Sequence, residues 1–371
     1  MPLSFEEELI YQIALSQIPG VGNQTAKKLL AYFGSMEDLF TKKYHQLLKV
    51  NDIGPVLAKA ISQKMYLKKA EEIFKSVQKN NLKTFFFLSN DYPEKLRNCS
   101  DSPILLFAKG DQLTFNKPSV AVVGTRKSTI YGESLTRELV QFAQSFEINF
   151  ISGFAYGIDI AMHKACIEFG VCNYAIMAGG LDYIYPFAHK KYVNDLLTIG
   201  GIISEHACGI KPDPRYFPMR NRIIAGLSDV VVVMEAASKG GALITADIAN
   251  SYNREVFAAP GNLNKNYSIG CNRLIFENKA VLYLSPENFF EWMNWLDKPK
   301  MTHKESILIN FDGLQPEETK IVDLLKNKKE ENFENLASLA EMKISQIFSL
   351  VIQLEIKGFL KILPGNKCKL I

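Results

Sequence analysis

Between residues 117 and 297, short runs of β-branched and aromatic residues alternate with longer amphipathic stretches. Runs that are apolar at almost every position predict strands covered on both faces, and the stretches between them predict helices that cross over a sheet. The expected strands are 120–124, 149–152, 174–177, 202–204, 230–234, 256–259 and 281–284. This is the pattern of an α/β fold, a Rossmann-like parallel sheet core over 117–297. Upstream, apolar positions recur at helical spacing in 9–15, 24–33 and 56–79, so residues 1–81 read as a helical domain. A connector, 82–116, joins the core and carries two more candidate strands, 84–89 and 104–109. After a linker, 298–313, helices are expected at 317–326, 336–340 and 345–357. Two strands, 359–363 and 367–371, turn at Pro364-Gly-Asn366, so 314–371 reads as a small winged-helix domain.

In the helical domain the turn Ile18-Pro-Gly-Val-Gly22 resembles the helix-hairpin-helix motif of SAM-like domains. There glycine lets the main chain approach closely and turn its amides toward a DNA phosphate. Lys27 and Lys28 follow in the next helix, where cations assist. The second turn, Asn51-Asp-Ile-Gly-Pro55, departs from the glycine pattern, and a helical cap packed on the main domain accounts for the same residues.

Composition narrows the class of protein. At 371 residues two or three domains are expected, and a net charge of +4 is too mild to imply nucleic-acid binding without local clustering. The cysteines, Cys99, Cys166, Cys172, Cys208, Cys271 and Cys368, contain no Cys-x-x-Cys pair, which fits reduced thiols better than zinc or disulfides. The acidic start, Met-Pro-Leu-Ser-Phe-Glu-Glu-Glu, is unlike a signal peptide, and no apolar run is long enough for a membrane span. A cytoplasmic protein is expected. The histidines have no metal-ligand spacing, no serine sits in a nucleophile elbow and no Walker A sequence occurs, so no metal, cofactor or catalytic set is expected.

Chemistry gathers where strands end. Gly124-Thr-Arg-Lys-Ser128 follows the first core strand: Gly124 permits a sharp turn, Ser128 or Thr129 caps the next helix, and its amides with Arg126 and Lys127 suit an anion. Gly-x-Gly-x-x-Gly is not present, so a dinucleotide is disfavoured. In Ser152-Gly-Phe-Ala-Tyr-Gly-Ile-Asp159 the glycines suit a close turn, Asp159 reads as a helix cap and His163 as a core histidine. Further edge loops bring Lys190, Arg215, the Arg220-Asn221-Arg222 triplet and Lys239-Gly240-Gly241. The expectation is a cationic rim for successive phosphates, with Tyr156, Tyr183, Tyr185, Phe187 or Phe217 available for stacking or for the core. Asp182, Glu205 and Glu235 lie near strand ends and could form an acidic site, but with cationic loops around them structural pairing is the more economical reading.

Val123-Gly-Thr-Arg126, Ser152–Asp159 with His163, Gly180-Leu-Asp182 with Tyr185-Pro186, Phe217-Pro-Met-Arg-Asn-Arg-Ile-Ile-Ala-Gly-Leu-Ser228 and Leu243-Ile-Thr245 together resemble the DprA/Smf family. Val256-Phe-Ala-Ala-Pro-Gly261 and Ser268-Ile-Gly-Cys-Asn-Arg-Leu-Ile275 extend the match through the central block. The resemblance implies a homodimeric, cytoplasmic, non-enzymatic protein of natural transformation. It would bind and protect incoming single-stranded DNA and help load the RecA recombinase, with a single-strand-binding protein as a further partner. It carries Arg126, then Arg220 and Arg222, over as DNA contacts. Phe187 stands where the family often has a basic residue after Tyr185-Pro186, leaving Lys190 or Lys191 to substitute, and Met162 stands where it usually has a small one.

Two other readings compete. A nucleotide phosphoribohydrolase has a glycine loop distantly like Lys239-Gly-Gly-Ala-Leu-Ile-Thr245 and would use Glu235 or a neighbouring acid at a sugar. An interaction scaffold would work through the terminal domains. In the last domain Glu330, Glu331, Glu334 and Glu341 surround the middle helix and favour protein contact or packing over duplex binding.

Overall fold

The computed structural model describes residues 4–296, 314–325, 330–340, 342–357, 359–363 and 365–370. The expected linker, 298–313, and the ends of the last expected strand and turn at Ile371 and Pro364 lie outside the described residues. The chain forms two compact units, Met1–Lys298 and Pro299–Ile371.

The first unit opens with six helices: α1 Phe5–Gln17, α2 Asn23–Phe33, α3 Met36–Thr41, α4 Tyr44–Leu47, α5 Pro55–Ser62 and α6 Leu67–Lys79. The single helix expected over 56–79 is two. Lys64 adopts a left-handed φ of 51°, and the Met65 amide donates back to the Ala60 carbonyl, closing α5 before α6 begins. The strands β1 Lys83–Phe86 and β2 Leu105–Lys109 flank a short helix, α7 Glu94–Arg97.

The core then alternates as expected: β3 Ser119–Gly124, α8 Ile130–Ala143, β4 Asn149–Ser152, α9 Ile158–Phe169, β5 Asn173–Ile176, α10 Val193–Ile199, β6 Gly201–Ser204, α11 Tyr216–Leu227, β7 Val230–Glu235, α12 Gly241–Ser251, β8 Glu255–Ala258, α13 Ile269–Phe276, β9 Val281–Leu282 and α14 Pro286–Trp292. The nine-stranded sheet runs β1-β2-β6-β5-β4-β3-β7-β8-β9. β3 to β9 are parallel, while β2 joins β6, and β1 joins β2, antiparallel. The connector strands are thus an antiparallel extension of the sheet.

Period-two alternation sorts each central strand between two apolar cores. Val230, Val232 and Met234 join Val120, Val122 and Phe150, under Leu139 of α8, Met162 of α9 and Phe290 of α14. Val231 and Val233 face the other way, with Ile223 of α11 and Ala246 of α12. That second core continues without a break into Ile13, Leu29 and Phe74 of the opening helices.

The chain leaves β3 toward β4, β5 and β6, then returns through α11 to β7 on the other side of β3. The carboxyl ends of β3 and β7 are therefore the topological switch point, where parallel α/β sheets open a crevice.

In the second unit the order is α15 Pro316–Leu325, β10 Glu331–Asn332, α16 Phe333–Ala340, α17 Ile344–Ile356, β11 Leu360–Leu363 and β12 Lys367–Leu370. The strands pair β10-β12-β11, so the expected wing gains a third, two-residue strand. Ile321, Leu336, Ile347, Val351 and Leu360 fill this unit's own core.

Candidate nucleic-acid interface

A cavity of about 610 Å³ opens at the switch point. Gly124, Thr125 and Arg126 line it from the end of β3, and Lys239, Gly240 and Gly241 from the end of β7. Arg220, Asn221, Phe217, Tyr185 and Asp159 complete its wall and floor.

The turn after β3 is held from two sides. The Thr125 amide donates to the Glu235 carbonyl (2.8 Å). The Glu235 carboxylate accepts from the Thr129 amide (2.8 Å) and hydroxyl (2.6 Å). It lies against Gly132, where a Cβ would meet its oxygen at 2.3 Å. The positive end of α8 is thus neutralised from within, so the backbone there is not the anion site expected. Glu235 is buried and engaged in this cap; the exposed Asp182 accepts from the Gly209 amide, and the half-buried Glu205 pairs with Arg222.

From the other side, Gly157 presses on the same turn. Its φ of 77° suits glycine, and a Cβ would stand 2.1 Å from the Thr125 carbonyl oxygen. The next amide, Ile158, donates to that oxygen (3.2 Å). Arg126 leaves this clamped turn exposed to solvent, its guanidinium carbon 5.2 Å from the centre of the Phe217 ring.

Arg220 approaches the same ring, at 5.9 Å, from below. Only 6% exposed, it donates to the carbonyls of Gly153 and Ile176 at the ends of β4 and β5. A Cβ on Gly153 would lie 2.5 Å from the guanidinium, which explains that glycine. Burial draws the Arg220 pKa down to about 10, with Asp159 opposing the shift, so it stays charged at neutral pH. Burial raises the pKa of Asp159; Arg220 and the Ala155 amide (3.3 Å) pull it back.

Asn221 donates to the Gly241 carbonyl (3.2 Å) and accepts from Arg220, fixing the start of α12 beside the cavity. No side chain caps α12. Its free amides and the exposed Lys239 supply donors opposite Arg126. His163 is a core residue: fully buried, 2.7 Å from the Asn173 amide oxygen, its pKa lowered to about 4 by desolvation.

Eight of the residues expected from sequence line this cavity: Gly124, Thr125, Arg126, Arg220, Asn221, Lys239, Gly240 and Gly241. The other five do not. Arg222 is a correction. It is buried in an ion pair with Glu205, because residues two apart on a helix point to different sides and Arg220 holds the cavity side. Lys127 is exposed outside the cavity, and the Ser128 hydroxyl donates to Glu133 (2.6 Å). Lys190 lies over its neighbour Phe187 at 5.6 Å. Arg215 is tied to Asp213 (2.8 Å), whose carboxyl it holds down at about 2. The broad rim contracts to one mouth with two exposed cations and a third cation in its floor. Asp159 is not the expected cap: Gly157 is the N-cap of α9, and Asp159, two residues on in its first turn, belongs to the cavity floor.

The two hairpins of the helical block share one geometry. Gly20 and Asp52 both take left-handed φ, 84° and 70°. The Val21 and Ile53 amides donate to Ile18 and Val50 at 3.0 and 3.1 Å, and Gly22 and Gly54 stand at the starts of α2 and α5. The second hairpin departs from the first in sequence, not in shape. The lysines after the first hairpin are committed: Lys27 donates to the Ser102 hydroxyl, and Lys28 pairs with Asp52 (2.6 Å).

A family model described as DNA recombination-mediator protein A matches residues 83–294, more than half of the chain. The chain belongs to the DNA recombination-mediator protein A family, the DprA/Smf family. The match spans the sheet and every residue lining the cavity. A helix-hairpin-helix motif model matches residues 12–73. Protein Smf of Synechocystis sp. is 35% identical over 284 residues, 74% of this chain and 70% of that protein. The X-ray structure of DNA processing protein A from Streptococcus pneumoniae aligns with a TM-score of 0.68 at 31% identity, covering 78% of this chain and 98% of that one. A structure of DNA processing protein A from Helicobacter pylori, concerned with that protein's single-stranded DNA binding mode, aligns at 0.52 with 28% identity, over 57% and 95% of the two chains. Among the described residues no helix is long and apolar enough to cross a membrane, and no group of three or more His, Cys, Asp or Glu is placed to hold a metal ion.

Proposed function

We propose that this chain binds single-stranded DNA without regard to sequence through the switch-point cavity, protects incoming strands in natural transformation and recombination, and helps load the RecA recombinase. In this reading it is a cytoplasmic homodimer that carries out no chemistry on the strand, with a single-strand-binding protein as a further partner. Residues 117–297 carry the strand site, with 1–81 and 314–371 as accessory domains. Family membership and the DNA-binding relative support the class of ligand.

The observation that carries the site is Arg126: an exposed guanidinium over Phe217, on a turn clamped by Glu235 and Gly157, at the mouth of a cavity. A guanidinium fork takes two oxygens of one phosphodiester, and Lys239 with the free amides at the start of α12 offers a second point of attachment. Phe217 and Tyr185, with ring centres 5.6 Å apart, give a base an apolar surface beside those phosphates. Nothing in this set reads a base edge by paired donors and acceptors alone, in keeping with sequence-independent binding.

The narrow mouth sets a quantitative expectation. On single strands each neutralised phosphate contributes about −0.7 to the slope of log affinity against log salt, so two exposed cations predict a slope of about −1.4 per chain. Fluorescence anisotropy of the full chain with labelled oligonucleotides, salt titrated, tests the reading. Failure of the wild-type chain to bind any single strand would refute it; unchanged affinity in Arg126→Ala would refute the site.

A further inference from the structure

A single aromatic ring in water is ordinary; several around one opening mark a contact surface. The switch-point cavity has such a group on its β4–β5 side, across β3 from Lys239. Ala155 after β4 and Tyr185 after β5 line the cavity. Tyr156 and Phe187 follow them along the same two loops and are 48% and 75% exposed. Tyr185 itself is 50% exposed, and its contact with Phe217 makes the group continuous with the cavity wall.

The rings stand on a fixed base. After Tyr185-Pro186 the chain makes a short 3₁₀ turn, Phe187–Tyr192, whose buried His189 donates from Nδ1 to the Phe154 carbonyl (2.9 Å). The Tyr156 ring meets that imidazole edge to face, with centres 4.9 Å apart. One histidine thus ties the two loops together. Burial lowers its pKa, the Phe154 carbonyl and Asp159 oppose the shift, and the nearby charges of Lys164 and Lys191 add to it. The imidazole is therefore an uncharged support for Tyr156 at neutral pH. Around it Lys164, Lys190 and Lys191 are exposed, and none is in an ion pair among the described residues. Lys190 lies over Phe187, whose ring remains largely in solvent.

We propose that Tyr156 and Phe187 form a stacking ledge for the bases of the strand as it leaves the cavity, and that this ledge makes the site select unpaired strands over duplex. The proposal rests on the single-strand reading and adds the discrimination that phosphate contacts lack. Phosphates are common to both forms, whereas a base face is open to an aromatic ring only when the base is free of its duplex neighbours. Position and charge name the occupant: the ledge continues the cavity rim, and three unpaired lysines beside exposed rings suit a polyanion with flat apolar faces. Every base has such a face, so binding stays independent of sequence. For a strand that reaches the ledge, the lysines steepen the salt dependence beyond the mouth's share.

Fluorescence anisotropy of the full chain with a labelled thymidine oligonucleotide tests the ledge. Tyr156→Ala and Phe187→Ala are each expected to weaken binding about fivefold or more, the worth of one stacked base. Their melting temperatures should not move, because both rings are largely in solvent. The salt slope should stay that of wild type, since no phosphate contact is lost. Tyr156→Phe and Phe187→Trp, which keep a ring, should keep the affinity. A strand of abasic spacers, with phosphates and no bases, is expected to bind wild type and both alanine variants alike. Duplex affinity should be unchanged too, so the preference for single strands falls by the same factor. The ledge is overturned if both alanine variants hold the thymidine strand as tightly as wild type, if they lose as much on the abasic strand, or if their salt slope falls with their affinity. In those cases a binding wild type leaves the single-strand reading standing; a wild type that binds no strand refutes both.

Discussion

Two arginines meet one aromatic ring and do opposite work. Arg126 and Arg220 stand 5.2 and 5.9 Å from the centre of Phe217. Arg126 is exposed, whereas Arg220 is buried among carbonyls with Asp159 nearby. The rim arginine is free for a ligand; the floor arginine holds β4, β5 and α11 in register beneath it. Residue type alone does not assign a cation to recognition. What decides is whether the folded chain has already supplied its acceptors.

The comparison is broken most directly from the floor. Arg220→Ala strands two buried carbonyls and Asp159, and is expected to cost about 3–5 kcal/mol of stability in denaturant unfolding. A loss under about 1 kcal/mol would place Arg220 with the rim. His163, in the same buried layer, gives a pH signature. Its folded pKa is lowered to about 4. Below the unfolded value, near 6.5, the unfolded chain takes up a proton that the folded chain refuses until about pH 4. Stability therefore falls as pH drops through that window, by about 3 kcal/mol in all. The difference between wild type and His163→Gln is expected to shrink with it. Gly153→Ala pushes a methyl into the Arg220 guanidinium and is expected to cost about 1–3 kcal/mol.

From the rim, Arg126→Ala is expected to weaken single-strand binding by roughly tenfold to a hundredfold, the worth of a charge-assisted hydrogen bond, with the melting temperature unmoved. Its salt slope should fall by about 0.7. The smallest effect belongs to the hairpin block. Lys28→Ala removes an exposed pair with Asp52, and is expected to change stability by less than about 1 kcal/mol and to leave single-strand affinity unchanged. A clear loss of affinity there would move the strand path onto the hairpins.

The strands were legible because each is a short, doubly covered apolar run; β4 begins and ends where its pattern does, at Asn149 and Ser152. The break between α5 and α6 was not, since Gln63-Lys-Met-Tyr66 contains neither glycine nor proline and the left-handed Lys64 depends on its surroundings. At the site, the glycines of the edge loops were legible as close approaches, as Gly153 and Gly157 show. The fate of the cations was harder to read, because Glu205, Asp213 and Glu235 reach their partners across the fold or a tight turn. Spacing alone separates Arg220 from Arg222: two apart in a helix, they cannot share a face.

The unbroken core that joins the opening helices to one face of the sheet sets where the chain tolerates cutting. Phe85, Phe86, Leu106 and Phe107 of the antiparallel strands are buried in the same cluster as Ile13, Leu29 and Phe74. Trimming the opening helices away at residue 82 would strip greasy cover from that edge and yield a sticky fragment, whereas the last unit, with a core of its own, offers a clean place to shorten the protein.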